Sequence, residues 1–330
     1  MDLQFTRPQA ADWKTVSPYF SLRRNKTCDT GALDTFLWAD YYNIRYTVAD
    51  SKALLFVMTD GEEYFSSMPY CREEDLPYYF DLTKKYFNEV LKKPFKIYLA
   101  DEEALEYLKL RENPNYIIKD EDDFKDYLYN AEELRTLPGK KFHKKKNLVN
   151  KFMRDYEGRW EYKTMNCSDK LAIWDFLDRW FAKRAETEDD GEESLEYEVK
   201  GIHEVLTNCA LFDFHIGGIF IDGKLEAFSM GAYNPLEKMA VIDIEKGNSD
   251  IPGIYQVINQ QFLLHEFAEA EIVNREDDVG LEGLRRSKQS YNPIGYARKY
   301  MVLQKDFAGF EKELTDHYED EIDHYETKAD

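Results

Sequence analysis

The sequence predicts an α+β protein built from two tandem units, each a mixed, mostly antiparallel sheet flanked by helices. Its 330 residues exceed one typical compact core and fit two domains of roughly 140–190 residues. Asp60-Gly61 and Asp222-Gly223 each lie between apolar runs, which is a strong signal for a β-hairpin. The elements around these two hairpins follow the same order, which indicates a duplicated α/β unit.

The first half begins with a helix and a loop that leads into a second helix, and then turns to strands. Its predicted elements are helix Pro8–Tyr19, loop and helix Cys28–Tyr42, strands Asn43–Ala49, Lys52–Thr59 and Glu62–Pro69, helix Glu73–Lys92, strand Phe95–Ala100, helix Glu102–Leu110 and strand Asn115–Ile118. The very acidic stretch Asp120–Asp126 predicts a solvated surface. We interpret Tyr127–Leu137 as the approach to a junction at Pro138-Gly139.

The second half repeats the order after an opening basic helix, Gly139–Phe152. Its further predicted elements are strand Arg159–Thr164, helix Ser168–Ala185 with Ser168 as the cap, helix Ser194–Asn208, strands Leu211–Ile221, Lys224–Tyr233 and Met239–Ile244, helix Ile251–Ala268, strand Glu271–Asn274, helix Leu281–Tyr291 and strand Lys299–Gln304. The predicted domains are therefore residues 1–138 and 139–306, followed by a charged tail at 307–330.

The basic helix, GKKFHKKKNLVNKF, separates into two faces at helical spacing. The apolar face holds Phe142, Val149, Phe152, Met153 and Tyr156, and the polar ridge holds Lys140, Lys144, Asn147, Lys151 and Arg154, flanked by Lys141, Lys145 and Lys146. A Lys-rich helix is often only a solvated face. Here the chain has a net charge of -21, so a concentrated positive ridge favours a phosphate-bearing partner.

Composition excludes several classes of protein. Four widely spaced cysteines without a C-x-x-C motif predict neither a disulfide scaffold nor a metal site, and favour a reducing interior. The N-terminus lacks the pattern of a signal peptide, and no run of about 18 apolar residues occurs. We expect a soluble, cytoplasmic protein with at most peripheral membrane contact. The six histidines pair with no Ser or Cys in a recognisable nucleophile setting, so we expect no catalytic triad.

A polar segment follows the predicted strand Glu271–Asn274. Adjacent charges of both signs are costly to bury unless they pair or bind something, and strand ends of α/β sheets commonly bind ligands. Arg285 and Lys288 lie one turn apart on the next predicted helix, where they could hold a phosphate or carboxylate. A surface cluster of ion pairs is the alternative interpretation.

The strand-to-helix connection Asp243–Gln256 is a third candidate, because a helix N-terminus favours anions. The shared order of elements matches the arrangement of GNAT acyltransferases, which carry Q/R-x-x-G-x-G/A here for the pyrophosphate of coenzyme A. Lys246 to Gly253 does not give that spacing, and Pro252 removes a backbone donor. Coenzyme A is therefore not expected as a cofactor.

Together, GKKFHKKKNLVNKF, IEKGNSDIPGIYQVINQQF and NREDDVGLEGLRRSKQSY resemble the C-terminal domain of bacterial phosphatidylglycerol lysyltransferases and its soluble relatives (DUF2156). Cys28–Trp38 with Tyr42 is similar to the N-terminal region of that family, so the resemblance covers about residues 1–305. It implies a tandem GNAT-like fold related to Fem-type aminoacyltransferases. It also implies transfer from aminoacyl-tRNA to an acceptor, without a bound cofactor or metal.

The resemblance also implies site residues, matched motif by motif. On the basic helix, the residues facing tRNA phosphates or a lipid headgroup would be Lys140, Lys141, Lys145, Asn147 and Lys151. The central cleft would be lined by Glu245, Lys246, Tyr255, Gln256, Asn274, Arg275, Glu276, Asp278, Gly283, Arg285 and Lys288. Glu276 or Asp278 would hold the α-ammonium of the donor or act as a base, and Arg285 with Lys288 would hold an acceptor phosphate.

The function expected from the sequence is therefore an aminoacyltransferase acting on a phospholipid headgroup or another small acceptor. The membrane-embedded flippase domain of the lipid-modifying enzymes is not found in this sequence, and the acidity of the chain fits poorly with an anionic membrane. Two alternatives remain open. One is an acyl-CoA-dependent N-acyltransferase, and the other is a non-catalytic module that binds nucleic acid or protein through the basic helix.

Overall fold

The computed structural model describes residues 3–185 and 192–307. Its strands are β1 (Arg45–Ala49), β2 (Ala53–Asp60), β3 (Glu63–Phe65), β4 (Lys96–Asp101), β5 (Tyr116–Asp120), β6 (Asp126–Asn130), β7 (Trp160–Met165), β8 (His215–Ile221), β9 (Lys224–Asn234), β10 (Met239–Gly247), β11 (Ile272–Asn274), β12 (Gly295–Ala297) and β13 (Lys299–Gln304). Its α-helices are α1 (Trp13–Val16), α2 (Asp34–Leu37), α3 (Leu76–Tyr86), α4 (Glu102–Tyr107), α5 (Ala131–Thr136), α6 (His143–Asp155), α7 (Lys170–Ala185), α8 (Glu192–Thr207), α9 (Ile254–Glu266) and α10 (Glu282–Gln289).

Three sheets organise the described chain. One has seven strands in the order β12-β6-β11-β10-β9-β8-β7, and two have three strands, in the orders β1-β2-β3 and β4-β13-β5. Pairing is antiparallel except between β10 and β11, and at an isolated parallel bridge from Ser66 to Ile97 that links the two small sheets. Both predicted Asp-Gly hairpins are confirmed, and Asp222 and Gly223 take φ of 50° and 80°, as a type I′ turn requires.

The two halves exchange one strand each. β6 comes from the first half of the chain but lies between β11 and β12, and β13 comes from the end of the second half but lies between β4 and β5. The exchanged strands start side by side, where Lys299 Nζ lies 2.8 Å from Asp126 Oδ1. The predicted domain boundary between residues 138 and 139 stays a prediction. Strand β6 comes before this boundary but lies in the sheet of the second half, and strand β13 comes after it but lies in a sheet of the first half.

Helix α6 packs its predicted apolar face inward. Phe142 and Phe152 are fully buried and Val149 nearly so, while Met153 and Tyr156 pack beside them against the same core. This core lies between the seven-stranded sheet and α9. Gly253, the N-cap of α9, has φ of 90°, and a Cβ there would lie 2.5 Å from the carbonyl oxygen of Leu148 on α6. Close approach of the two helices therefore requires glycine at this position.

Several expectations need correction. Asp126, predicted on a solvated surface, is 0% exposed and begins β6, and the following residues form β6 and α5. Cys167 and Cys209 are joined in a disulfide, although the sequence favoured free thiols in a reducing interior. Asn166, rather than Ser168, provides the cap before α7: its side chain accepts a hydrogen bond from the Ser168 backbone. The predicted tail at 307–330 lies almost wholly outside the described residues. Within the part that the structure describes, no helix is long and apolar enough to cross a membrane.

Candidate active site

The candidate site lies where β10 and β11 part. The two strands pair in parallel from Met239 with Ile272 to Val241 with Asn274, and β10 then continues to Gly247 without β11 beside it. A side chain from each strand crosses the gap: Arg275 Nη2 donates to Glu245 Oε1 at 2.8 Å. Both side chains are 12% exposed, so the pair is largely shielded from water.

An aromatic ring and a second cation complete this ion pair. The guanidinium of Arg275 lies 4.7 Å from the ring centre of Tyr291, and the ammonium of Lys145 lies 4.0 Å from the same centre. Asn259 donates to the other oxygen of Glu245 at 3.1 Å. We call Lys145, Glu245, Arg275 and Tyr291 the cation cleft. Nη1 of Arg275 is buried and has no hydrogen-bond partner among the described residues.

The electrostatics of the cation cleft shift two basic groups in opposite directions. Burial would lower the pKa of Arg275, but the neighbouring Glu245 carboxylate outweighs this and raises it. Burial lowers the pKa of Lys145 to about 8, and the charge of Arg275 adds to that effect. Lys145 can therefore gain or lose a proton near neutral pH.

Next to this cleft lies a group of six carboxyls that we call the acidic cluster. It comprises Asp29, Asp34, Asp126, Asp243, Glu276 and Asp277. Its cations are two lysines. Lys299 is 1% exposed and lies within 3.7 Å of carboxylate oxygens of Asp29, Asp126 and Asp277. Lys288 lies near Glu276 and Asp277, but its ammonium donates to the backbone oxygen of Arg275 at 2.6 Å.

The acidic cluster holds more carboxyls than its two lysines can pair with, and burial favours the protonated form of several of them. Asp243 is 6% exposed, and neither of its carboxylate oxygens has a hydrogen-bond partner among the described residues. Burial raises the pKa of Asp243, and Glu276 raises it further. Burial also raises the pKa of Glu276, with Asp34 as the largest charged contributor. Burial raises the pKa of Asp277 to about 6. A positive charge placed among these carboxyls would lower their pKa values and favour their ionised form.

The donor atoms of Cys28, Asp34 and Glu276 could in principle hold a metal ion, because they lie within 4.8 Å of one another. The ammonium of Lys299, however, already lies 3.1 Å from the sulfur of Cys28. A cation beside the thiol disfavours a second one on the same sulfur. We assign no metal to these residues.

Most of the predicted basic ridge lies on the surface of α6 and of the turn before it. Lys140 and Asn147 are exposed, Lys141 pairs with Glu133 at 2.6 Å, and Lys151 pairs with Asp155 at 2.8 Å. Only Lys145, of the residues predicted from this ridge, reaches the cation cleft. A lysine on the surface can bind a phosphate without being buried. The exposed lysines of the ridge are therefore suited to a polyanion.

The predicted cleft residues fall into two groups. Glu245, Arg275 and Glu276 lie in or between the cation cleft and the acidic cluster, and Asn274 contacts the cluster by donating to Asp126 Oδ2 at 3.0 Å. Gln256 lies beside Tyr291, whose pKa burial raises to about 12. Lys246 instead pairs with Glu198 of α8 at 2.7 Å, and Tyr255 donates to the backbone oxygen of Gly247 at 2.9 Å.

The second group supports the loop after β11. Asp278 is fully buried: Arg285 contacts both of its oxygens, and Tyr127 donates to Oδ2 at 2.5 Å. Burial would raise the pKa of Asp278, but these hydrogen bonds lower it. The structure does not bring Arg285 and Lys288 to one open surface, since Lys288 is buried on backbone oxygens. Gly283 has open space around it. The roles assigned to these residues stay predictions.

The sequence did not single out most of the acidic cluster. Asp29 and Asp34 come from the segment before and within α2, and Asp126 and Lys299 begin the exchanged strands. Asp243 carried a signal, because it interrupts the apolar run Ala240–Ile244 in a central strand. A buried carboxyl in such a run is unusual without a partner or a function.

Comparison with known proteins is consistent with this geometry. The family model for "Phosphatidylglycerol lysyltransferase, C-terminal" matches residues 21–303. A relative, an uncharacterized protein of Mycoplasmoides gallisepticum, is 25% identical over 186 residues, which are 54% of this chain and 55% of that protein. This chain thus matches about half the length of that relative.

Solved structures agree on the fold. A conserved protein of unknown function from Bacteroides thetaiotaomicron superposes with a TM-score of 0.82 at 25% identity, covering 92% of this chain and 100% of that one. L-PGS from Bacillus licheniformis gives 0.65 at 14% identity, covering 91% and 94%, and FemX gives 0.58 at 9%, covering 96% and 100%. The predicted tandem GNAT-like fold is confirmed. The chain belongs to the phosphatidylglycerol lysyltransferase C-terminal family, and the resemblance found in its three motifs is correct.

Proposed function

We propose that this protein transfers an aminoacyl group from aminoacyl-tRNA to a phospholipid headgroup, such as that of phosphatidylglycerol, or to another small acceptor. The family and the fold support transfer of this type. The observation that carries the proposal is the meeting of a cation cleft with an acidic cluster at the adjacent residues Arg275 and Glu276. The aminoacyl end of the donor carries a positive amino group, and the tRNA carries negative phosphates close to it. A binding site for this donor therefore needs an acidic surface and a basic surface next to each other.

The acidic cluster suits the α-ammonium of the donor. Its six carboxyls face two lysines, and Asp243 offers two buried oxygens without partners. An ammonium placed among them would receive hydrogen bonds and a favourable field, and would lower the cost of keeping the carboxyls ionised. Glu276, predicted from the sequence as one of two candidates for this role, fits it better than Asp278, whose oxygens are already bonded.

The cation cleft suits the other end of the reacting group. Nη1 of Arg275 is buried and has no partner among the described residues, and it would donate to an ester carbonyl oxygen or an acceptor phosphate that enters the cleft. The ridge on α6 continues outward from Lys145 through the exposed Lys144 and Lys140, which would contact tRNA phosphates. Transfer then depends mainly on positioning and on one proton transfer.

The acyl-CoA alternative is disfavoured by the packing of α9. Gly253 at its N-terminus touches the backbone of Leu148 on α6 so closely that a Cβ would lie 2.5 Å from the carbonyl oxygen. In the related acetyltransferases that helix end faces the pyrophosphate, and here α6 lies against it. Thermal stabilisation by coenzyme A would revive this alternative.

The proposal is tested by transfer of a radiolabel. Purified protein is incubated with a mixed pool of charged tRNAs and a total lipid extract, and the lipids are then separated. A labelled lipid supports a lipid acceptor. Label in a soluble product supports a small acceptor. Binding of charged tRNA without any transfer would favour the non-catalytic alternative.

The role of the ridge has its own matched control. Lys144→Glu with Lys151→Glu should abolish tRNA binding in a gel shift while leaving the fold intact, because charge reversal repels the phosphates. Lys52→Glu with Lys85→Glu makes the same change in charge at exposed positions in the first half and should leave binding unaltered. Equal affinity of the two double variants for tRNA would contradict the assignment of the ridge.

A further inference from the structure

Lys145 differs from the other lysines of the basic ridge. Lys144 and Lys146 are exposed to solvent, whereas Lys145 is half-buried and its ammonium lies 4.0 Å above the centre of the Tyr291 ring. No carboxylate pairs with it among residues 3–185 and 192–307. Phosphate binding alone does not require a lysine to be half-buried against an aromatic ring.

The charged groups that face Lys145 come from two further elements. Glu245 lies on β10. Arg275 follows β11, and its guanidinium lies 4.7 Å from the centre of the same Tyr291 ring. Burial lowers the pKa of Lys145 first, Arg275 lowers it further, and Glu245 offsets part of this, leaving a pKa of about 8. At pH 7 about a tenth of such an amine is neutral and able to accept a proton.

The carboxyls proposed as bases from the sequence are less suited to this task. Burial and Asp34 raise the pKa of Glu276, so its carboxyl tends to hold a proton rather than take one. Asp278 has the opposite problem: Arg285 and Tyr127 bond its oxygens and its pKa is lowered. A base bonded on both oxygens and of low proton affinity is a weak acceptor.

We infer that Lys145 Nζ takes the proton of the acceptor nucleophile during aminoacyl transfer and passes it to the departing ribose oxygen. This inference rests on the proposed function. The acceptor O–H or N–H loses its proton to the neutral amine as its heteroatom bonds to the ester carbon. The bond from that carbon to the ribose oxygen breaks, and the lysine ammonium protonates that oxygen. Protons and electrons balance without an oxidant or reductant.

The test compares kcat/KM with pH for the wild type, Lys145→Arg, Lys145→Gln and Lys52→Gln. The wild type should gain activity with an apparent pKa near 8. Lys145→Arg keeps the positive charge but cannot release a proton, so activity should fall about 100-fold or more and the rise with pH should disappear. Lys52→Gln, at an exposed position in the first half, should keep the rise.

Two further outcomes separate this inference from the proposed function. If wild-type protein transfers nothing from any charged tRNA in the pool, the proposed function fails and this step fails with it. If Lys145→Arg retains the rise with pH and more than a tenth of the activity, only the role of Lys145 is overturned. Labelling of amines with acetic anhydride as a function of pH, read by mass spectrometry, needs no activity. Lys145 should react as a group of pKa near 8, and titration like an exposed lysine, near 10.4, would also overturn the inference.

Discussion

The two halves of this protein share an order of elements but differ in how the buried carboxyls at the equivalent place are paired. The first half has the order β3, α3, β4, α4 and β5, and the second half has the order β10, α9, β11, α10 and β12. The second strand of each series is parallel to the first. In the sheets, the exchanged strand lies before the last strand of the series, with β13 between β4 and β5 and β6 between β11 and β12. The equivalent places are the ends of β4 in the first half and of β10 and β11 in the second. At the first, both oxygens of the buried carboxyl are hydrogen-bonded, and at the second, a buried carboxyl has no hydrogen-bond partner among the described residues.

In the first half, Asp101 at the end of β4 is fully engaged. Both of its oxygens accept hydrogen bonds from the Arg23 guanidinium at 2.6 Å, and its side chain also caps α4 through the Ala104 backbone. In the second half, neither oxygen of Asp243 has a hydrogen-bond partner among the described residues. The two arginines do not differ in this respect, because Nε of Arg23 and Nη1 of Arg275 both lack a partner there. The two ends therefore differ in how fully their buried carboxyls are paired, and we propose that the unpaired carboxyl belongs to a ligand site.

The largest expected effect comes from removing the cation of each end. Under the proposed function, Arg275→Leu should lower aminoacyl transfer by about 100- to 1,000-fold, because it removes the donor that would contact the reacting group. Arg23→Leu removes an equally shielded guanidinium from Asp101 and should leave transfer per folded molecule within about threefold of wild type. Both variants leave a buried carboxylate unpaired, so each should lose roughly 3–5 kcal/mol of stability.

The activities of Arg23→Leu and Arg275→Leu can be compared directly because the two variants should lose similar free energy of unfolding. If Arg275→Leu does not fold, Arg275→Leu with Glu245→Leu removes both members of the ion pair and should recover much of the stability without recovering transfer. Similar activity losses in the Arg23 and Arg275 variants would mean that the two ends contribute alike. The distinction between a structural half and a functional half would then be lost.

Much of the fold could be predicted from the sequence, because local signals were strong. The hairpins at Asp60-Gly61 and Asp222-Gly223, the faces of α6 and the strand β13 all follow from turn chemistry and periodicity. The exchange of β6 and β13 could not be predicted this way. Strand order depends on contacts between residues far apart in sequence, and Tyr127–Leu137 gave no pattern that distinguishes its partner.

Prediction of the site was more uneven. The resemblance to the family pointed to Glu245, Arg275 and Glu276, which the structure brings together. The acidic cluster collects residues from the segment around α2, from β6 and β10, and from the loop after β11, so no local motif contains it. Arg285 and Lys288 illustrate the reverse case, in which a local pattern did not fix the contacts. Their helical spacing placed them on one face, but the loop carrying Asp278 engages the first and buries the second.

A middle-sized effect is expected on binding of the donor's amino group. Asp243→Asn should weaken binding of an amino acid amide about tenfold, or ~1.4 kcal/mol, because an amide cannot ionise beside the bound ammonium and form a charged hydrogen bond with it. Asp101→Asn should leave that affinity unchanged. In the wild type, affinity should rise between pH 5 and pH 7, since Asp277 has a pKa of about 6 and Glu276 a raised one. Calorimetric titration at several pH values measures both, and a flat profile would exclude the cluster as the ammonium site.

The smallest expected effect is on stability, and it has opposite signs at the two ends. Burial raises the pKa of Asp243 in the folded state, so its contribution to stability is present at low pH and is lost as the pH rises through that folded value. Asp243→Asn, which stays neutral, should therefore raise Tm at pH 8 by roughly 2–4 °C, a gain that shrinks toward pH 5. Asp101→Asn should lower Tm at pH 8, because its carboxylate pairs with Arg23. Thermal unfolding of both variants at pH 5 and pH 8 measures the contrast, and a loss of Tm in Asp243→Asn at pH 8 would mean that this carboxyl already has a partner in the folded protein.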